Sequence, residues 1–341
     1  MRRSGTLSIA ALPLLAVALL ATVVAALCIG RFAIGPGELL ALIWPGGRHA
    51  IASDRLAMLD TIVWQIRLPR IAAAVLVGAS LSASGAAFQT VFRNPLVSPG
   101  LLGVGAGAGF GAALGMLLSL EWTLVQLLAF GMGLLAVGIA AGIARIFGGG
   151  SPIMLVLGGI LTAGLFNALL SLAKYVADPY DQLPAIVYWL MGTLSLADPP
   201  QVERATVPIL LGIGVLVLLG RALDALSMGD DEARTLGVPV GQVRAGVIAA
   251  ATLISALTVS IAGMIGWIGL VVPHLARLLL GPGNTRLIPA SAMIGAILLV
   301  AADGLARGIS TVEIPIGIIT ELLGIPIFLA VLHRVRRGWG A

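Results

Sequence analysis

Apolar runs of about 20 residues recur along the whole chain, and short stretches holding most of the charged residues separate them. A helix needs roughly 20 apolar residues to cross the hydrocarbon core of a bilayer. The pattern therefore predicts an all-α, polytopic membrane protein with about ten transmembrane helices in a single transmembrane domain over 1–341. The predicted spans are 7–30, 62–92, 97–118, 121–146, 152–176, 202–221, 244–264, 266–280, 286–308 and 313–335.

Small residues mark one face of the second and third predicted spans. Gly78, Ser82, Gly85 and Gln89 recur at steps of four, three and four, which places them on one helix face. In the following span, glycines recur every fourth residue at 103, 107, 111 and 115. Small residues at this spacing let helix backbones approach closely in lipid. We expect these two helices to be tightly packed against neighbours.

Composition excludes a soluble protein. Of the 341 residues, 59% are hydrophobic and only 10% are charged, whereas soluble domains have about a quarter of their residues charged. The net charge of +5 does not indicate nucleic-acid binding, because the basic residues are dispersed at span ends. The one cysteine, Cys28, cannot form an internal disulfide, and we interpret the apolar run that contains it as a retained span.

The charge pattern predicts the orientation. Both ends of the chain are basic, which favours a cytoplasmic location for both and an even number of spans. With ten spans, more of the 20 basic residues fall at the cytoplasmic ends than at the outer ends. The terminal basic residues are Arg2, Arg3, Arg334, Arg336 and Arg337.

Two loops are long enough to hold structure. The loop 177–201 is predicted to lie outside, with a short helix that places Tyr188 and Trp189 at the membrane surface. The loop 228–243 is polar and predicted to be cytoplasmic. Asp230 is a candidate N-cap, and Gly237 followed by Pro239 indicates a stop. We expect a short helix, a turn and a second short helix there.

Enzymatic constellations are absent from the sequence. A phosphate-binding loop requires a lysine in its motif, and the one lysine of the chain, Lys174, is followed by Tyr175 instead. The three histidines are far apart and do not suggest a metal site or a ligated haem. Ionisable residues within spans are functional candidates instead. They are Lys174, Asp303, Arg307, Glu313 and Glu321.

A series of short motifs runs in order over nearly the whole chain. They are RLPR at 67–70, GASLSASG at 78–85, RNPL at 93–96, PGLLG at 99–103, YWLMG at 188–192, EARTLG at 232–237, GWIGLVVPH at 266–274, DGLAR at 303–307 and EIPIG at 313–317, together with Gln89 and Arg277. The series resembles that of the FecCD-type permeases. These are the membrane subunits of type II ABC importers for iron-siderophores, haem and vitamin B12.

The resemblance implies a ten-span subunit of the bacterial inner membrane. It implies a second permease copy, identical or paralogous, as well as two cytoplasmic ATPases and a periplasmic substrate-binding protein. ATP and Mg²⁺ would be bound by the ATPases, so no cofactor is expected on this chain. Membrane lipid is an expected partner, and nucleic acid is not.

The resemblance also assigns residues to roles. Arg67, Arg70 and Arg307 match outer arginines that dock the binding protein, and Asn94 and Leu96 match a cytoplasmic gate. Pro152 and Ile153 replace the Thr-Ser pair that contributes to the gate in the vitamin B12 importers of the family. Spans five and ten are the implied pathway, with Asn167, Ser171, Lys174 and Glu321 as candidates, although Glu321 departs from the small or apolar residue expected there. The predicted ATPase-coupling residues are Asp230, Asp231, Glu232, Arg234, Leu236, Gly237 and Pro239.

The cargo stays open at this point. An iron chelate is the leading prediction, and cobalamin or an oxyanion are the alternatives within the family. A different class of function, an ion-coupled secondary carrier, would use Glu321 and Asp303 as a proton relay. A membrane redox or chelate-processing enzyme is a third hypothesis, but the sequence offers no ligand pairs for it.

Overall fold

The computed structural model describes residues 5–30, 32–44, 46–148, 151–310 and 312–339. Arg2 and Arg3, used above to predict orientation, lie outside these ranges. The α-helices are α1 Gly5–Cys28, α2 Pro36–Ile43, α3 Ser53–Asp60, α4 Leu68–Val91, α5 Val104–Leu117, α6 Trp122–Gly148, α7 Pro152–Val176, α8 Gln182–Leu190, α9 Pro199–Leu218, α10 Gly220–Met228, α11 Asp230–Thr235, α12 Val240–Ala262, α13 Ile268–Leu280, α14 Asn284–Gly308 and α15 Ile316–Trp339.

The predicted all-α, polytopic architecture is confirmed. In the described part of the chain, seven helices are long and apolar enough to cross a membrane, and three shorter apolar helices accompany them. Two of the shorter ones, α5 and α13, have 14 and 13 residues. At 1.5 Å per residue they are about 20 Å long, which is less than the roughly 30 Å hydrocarbon core. Non-helical backbone must therefore lie within the membrane next to them.

Helix α4 lies at the centre of the molecule and is buried along most of its length. A Cβ atom on Gly85 would lie 1.8 Å from the carbonyl oxygen of Gly269 in α13, and one on Gly78 would lie 2.3 Å from that of Gly295 in α14. The predicted small-residue face of α4 thus lets the backbones of α13 and α14 approach that of α4 closely. Gln89, on the same face, donates to the carbonyl oxygen of Leu270 at 3.2 Å.

The glycines of the third span also pack against backbone. One of the four, Gly103, does not lie on the predicted helix face. Gly107 and Gly111 face the carbonyl oxygens of Met132 and Leu128 in α6, each 2.3 Å from a Cβ built on the glycine. Gly103 is not inside the helix. It has a left-handed conformation with φ of 86° and precedes α5 as its N-cap.

The predicted second short helix of the loop 228–243 is wrong. Helix α12 begins at Val240 and continues without a break into the span, because the residues after Pro239 contain no further turn signal. The pair of short helices is instead α10 and α11, separated at Gly229 with φ of 140°. The predicted N-cap is also displaced by one residue, since Gly229 precedes the helix and Asp230 begins it.

The outer loop contains the predicted short helix, α8, but one of its aromatic residues is placed differently. Trp189 is 2% exposed and packs with Ala108 and Ala129 of α5 and α6. It is therefore a core residue, and its side chain is not available for contact with lipid headgroups. Two further short helices, α2 and α3, precede the second span and were not predicted. The span itself is longer than predicted, because α3 continues through a π-helical segment, Thr61–Arg67, into α4.

We expect Gly85→Ala to destabilise the protein by about 1–3 kcal/mol or more, because the added methyl group must displace the backbone of α13. Thermal unfolding of the purified protein in detergent measures this. Gly131→Ala in α6 is the matched control, since nothing lies within 4 Å of a Cβ at that position. Equal melting temperatures for the two variants would contradict the close helix contact.

Candidate functional site

A cavity of about 390 Å³ lies where three non-helical segments meet. The segments are the turn before α5, the residues after α8, and the link Gly263–Trp267 between α12 and α13. Non-helical backbone at membrane depth is tolerated where it is buried in protein or lines a cavity. This convergence makes the cavity the candidate substrate site. Its lining includes Pro99, Met191, Met264, Trp267, Gly317 and Glu321.

Backbone hydrogen bonds join the residues after α8 to the end of α12 and to the start of α15. The amide of Thr193 donates to the carbonyl oxygen of Ala262 at 2.8 Å, and the amide of Ile316 donates to that of Gly192 at 3.0 Å. Both bonds join segments that line or border the cavity. Its walls are therefore fixed by backbone contacts between α8, α12 and α15.

Trp267 has an unusual backbone conformation for a bulky residue, with φ of 67°. Its side chain packs over Gly324 of α15, where a Cβ would lie 2.5 Å from that of Trp267. The indole ring meets Phe328 edge to face at 6.2 Å, and Phe328 in turn meets His274 at 5.5 Å. These ring contacts thus attach the part of the cavity wall formed by Trp267 to helix α15. Trp267 was not among the predicted functional residues, although the glycines on either side of it were a signal of a break.

Glu321 is the one charged residue among those that line the cavity in the described part of the chain. It is exposed on α15, and none of the described residues forms an ion pair or hydrogen bond with it. The other predicted pathway residues do not line this cavity. Asn167 and Ser171 are exposed on α7, where the Ser171 hydroxyl donates to the carbonyl oxygen of Asn167 at 2.9 Å, and Lys174 is partly exposed on the same helix. The structure therefore does not bring the four candidates together within one chain.

The predicted outer arginines form a buried cluster. Asp303 is 2% exposed and accepts hydrogen bonds from Arg70 at 2.9 Å, while its second oxygen lies 3.0 Å from Arg307. Arg70 also donates to Glu313 at 2.9 Å. Two guanidinium groups thus neutralise one buried carboxylate, which would be costly without them.

Docking of a binding protein through Arg67 and Arg70 would require exposed side chains, but both are largely buried, and the Arg70 side chain is 13% exposed. Arg67 is 5% exposed, and its guanidinium donates to the carbonyl oxygens of Leu27 and Phe32. Leu27 is in the last turn of α1, where carbonyl groups lack partners within the helix. The arginine side chain supplies these missing donors, so it points into the protein. Of the three, Arg307 is the one that lines a depression on this side of the molecule.

The predicted ATPase-coupling loop is the loop 228–243. One carboxylate, that of Asp230, attaches it to helix α12. Both oxygens of Asp230 accept from Arg244 of α12 at 2.8 Å, and Arg93 lies 3.6 Å away. The hydrogen bond from Arg244 holds the pKa of Asp230 below its usual value. In contrast, Leu236 is 63% exposed and the Asp231 side chain is 92% exposed. The loop therefore has an anchored side and a free side.

A second anchor, missed in the sequence, joins α10 to α14. Asp224 accepts hydrogen bonds from the backbone and side-chain nitrogens of Asn284 at 2.7 and 2.8 Å. Asn284 in turn accepts from the hydroxyl of Thr90 at the end of α4. These three residues are distant in sequence, and no local pattern indicated their contact.

The predicted gate residues are exposed in the turn that leads to the cavity. The amide of Leu96 donates to the side chain of Asn94 at 2.9 Å, and the Leu96 side chain is 59% exposed. A few residues later, Ser98 and Pro99 line the cavity. Pro152 occupies the first turn of α7, with Ser151 as the N-cap.

Comparisons with known proteins agree with this architecture. The model of the FecCD transport family matches residues 18–334. The chain is 37% identical over 322 residues to the molybdate import system permease protein MolB of Haemophilus influenzae, covering 94% of each chain. It is 39% identical over 288 residues to a probable iron chelatin transport system permease protein of Helicobacter pylori, covering 84% of this chain and 87% of that one.

Two further similarities concern a curated relative and a solved structure. The chain is 37% identical to the vitamin B12 import system permease protein BtuC of Salmonella arizonae over 327 residues, covering 94% of this chain and 92% of that one. A solved structure described as an inward-facing conformation of a metal-chelate type ABC transporter superposes with a TM-score of 0.85 at 34% identity. It covers 95% of this chain and 99% of that chain.

We expect Arg70→Met to destabilise the protein by about 3 kcal/mol or more, because it removes one of the two cations that neutralise the buried Asp303. The melting temperature in detergent measures the loss. Arg48→Met is the matched control, because the Arg48 ion pair with Asp60 is half-exposed and should contribute less than about 1 kcal/mol. A loss for Arg70→Met no larger than that for the control would contradict a buried cluster.

Proposed function

Since the chain belongs to the FecCD transport family and is an ABC importer permease, we propose that it carries an iron chelate, a siderophore complex or haem, across the bacterial inner membrane. Relatives with similar identities are named for iron chelatin, vitamin B12 and molybdate. Identity alone therefore does not distinguish the cargo. The observation that favours a chelate is the charge of the cavity.

Glu321 supports a cargo that is not a small oxyanion. The cavity contains this carboxylate, and no arginine or lysine is among the described residues that line it. At short range in a medium less polar than water, like charges repel by several kcal/mol. Molybdate is a small dianion that would have to bind close to this carboxylate, whereas a large chelate can place hydrogen-bond donors beside Glu321 and its own acidic groups elsewhere. The mostly apolar walls also suit a large ligand.

Cobalamin is the remaining alternative, and the cavity does not disfavour it. Family membership decides against the other two hypotheses, a secondary carrier and a membrane enzyme, since permease subunits of this family are not enzymes themselves. The location of the two acids agrees, because Asp303 is paired with arginines and does not line the cavity of Glu321. ATP and Mg²⁺ are accordingly assigned to partner chains.

A second permease copy is proposed to complete the pathway, and an identical copy is the simpler arrangement. The cavity is open. Large apolar side chains on α15 and α7 are also exposed, among them those of Leu322 at 65% and Leu172 at 59%. Partner contact on these faces would bring Asn167, Ser171 and Lys174 of α7 to the pathway. The rest of the exposed apolar surface suits contact with lipid.

The two charged ends are proposed to bind different partners. At the outer end, a periplasmic binding protein would dock on the face that contains Arg307. The buried contacts of Arg67 and Arg70 would stabilise that face. At the cytoplasmic end, an ATPase would bind the free side of the coupling loop. This free side includes Asp231, Glu232, Arg234, Leu236 and Gly237, and Asp230 transmits the movement to α12 through Arg244. Both chain termini are proposed to be cytoplasmic.

We expect Glu321→Gln to reduce uptake of a ferric siderophore or haem by about tenfold or more, because it replaces a charge-assisted hydrogen bond by a neutral one. Uptake of radiolabelled iron chelate by cells that express the complete transporter measures this. Glu203→Gln is the control, since Glu203 is an exposed acid outside the cavity. Efficient wild-type uptake of molybdate, or unchanged chelate uptake by Glu321→Gln, would contradict the proposed cargo.

Replacing the segment from Asp230 to Gly237 by a glycine-serine linker is expected to abolish co-purification of an ABC ATPase with the tagged chain. The transmembrane fold should persist, because this segment is outside the core apart from Ala233. Size-exclusion chromatography checks folding. As a milder test, Leu236→Ser should weaken the association, since this exposed apolar side chain offers the partner a contact. Normal association of the linker variant would exclude the loop as the docking site.

A further inference from the structure

A groove of about 850 Å³ runs between α6, α7 and α12, away from the cavity described above. Most of its lining is apolar and comes from facing positions on the three helices. One end of it lies where α6 ends and α12 begins, and arginines cluster there. The apolar part includes Leu134, Val137, Ala141, Leu155, Ile248 and Leu253, and the basic end includes Arg145, Arg234 and Arg244.

The three arginines retain hydrogen-bonding capacity. Arg145 is exposed, and none of the described residues forms an ion pair or hydrogen bond with it. Arg244 uses one terminal nitrogen for Asp230, but its Nε is buried and has no hydrogen-bond partner. Arg234 pairs with Asp231 on the surface, where both side chains are mostly exposed, so this pair contributes little. No acidic residue is among the described residues that line the groove.

The residues after Arg145 indicate where this end of the groove lies relative to the membrane. Ile146 and Phe147 are 77% and 73% exposed. Their apolar side chains next to exposed arginines match the boundary between acyl chains and headgroups. In the proposed orientation, this boundary belongs to the cytoplasmic leaflet.

We propose that the groove binds an anionic phospholipid, with its phosphate at Arg145 and Arg244 and one acyl chain along α6 and α12. Guanidinium groups suit phosphate because they offer paired donors in a fixed plane. Arg244 uses only one of its two terminal nitrogens for Asp230, so the other can donate to such a phosphate. A basic pocket between transmembrane helices at the cytoplasmic side is the kind of site that binds anionic lipid headgroups. The proposal requires a membrane-spanning chain and is independent of the cargo.

The groove adjoins the anchored side of the coupling loop, which gives the lipid a defined location in the transporter. Arg244 holds Asp230 with one terminal nitrogen and is also one of the residues that line the groove. A bound phosphate would therefore contact the same side chain that attaches the loop to α12.

The test is lipid retention by the intact chain, co-purified with its partners in a mild detergent and measured by native mass spectrometry. The probes are phosphatidylglycerol and phosphatidylcholine with identical acyl chains. We expect the wild type to retain phosphatidylglycerol in preference. Arg145→Gln should lower its retention by about tenfold or more, the effect of a lost charge-assisted hydrogen bond. Arg221→Gln, an exposed arginine elsewhere, is the control and should lower it by less than about fivefold.

A second variant tests the apolar part without changing a charge. Ala249→Phe places an aromatic ring in the groove from an exposed position on α12. It should reduce lipid retention to a similar degree, and Ala245→Phe, one turn away on the same face, replaces it if the first variant does not fold. Retention equal to wild type in these variants, an equal loss in Arg221→Gln, or displacement of the lipid by millimolar inorganic phosphate would each overturn the proposal.

Discussion

Backbone polar groups cannot remain unpaired inside a bilayer, and the rest of this structure depends on how the chain meets that constraint at its helix breaks. Between α12 and α13 the helix stops at Gly263, and the chain turns through Trp267 before a short helix resumes. The amides of Thr193 and Ile316 pair with carbonyl groups next to this region. The cavity lies where three such breaks come together, and two of the segments there pair their backbone groups through the hydrogen bonds of Thr193 with Ala262 and of Ile316 with Gly192.

The central helix provides the frame for these breaks. Helix α4 and helix α14 lie against each other through Gly78 and Gly295. Polar contacts join the pair at both ends, with Arg70 and Asp303 at one and Thr90 and Asn284 at the other. A helix pair fixed in the middle and at both ends is expected to move as one body. Motion between states is then expected outside this pair, as at the loop α10–α11.

The sequence was most informative where a local pattern decides the outcome. The polytopic all-α architecture and the close packing through Gly85 follow from hydropathy and from the spacing of small residues. Helix α11 follows from the acidic turn and the stop at Gly237. What could not be predicted depends on neighbours that are distant in the chain. Arg67 satisfies carbonyl groups of α1, and the partners of Asp224 come from α14, so neither interaction has a local signature.

The residue composition has a practical consequence for following the transporter in action. The chain has one side-chain amine, Lys174 near the end of α7, and one thiol, Cys28 at the end of α1. Both side chains are partly exposed. Apart from the reaction of a terminal amine, amine-reactive and thiol-reactive dyes would therefore attach at two chemically distinct side chains without any substitution. The natural sequence already contains a donor site and an acceptor site for fluorescence distance measurements between two helices of the same chain.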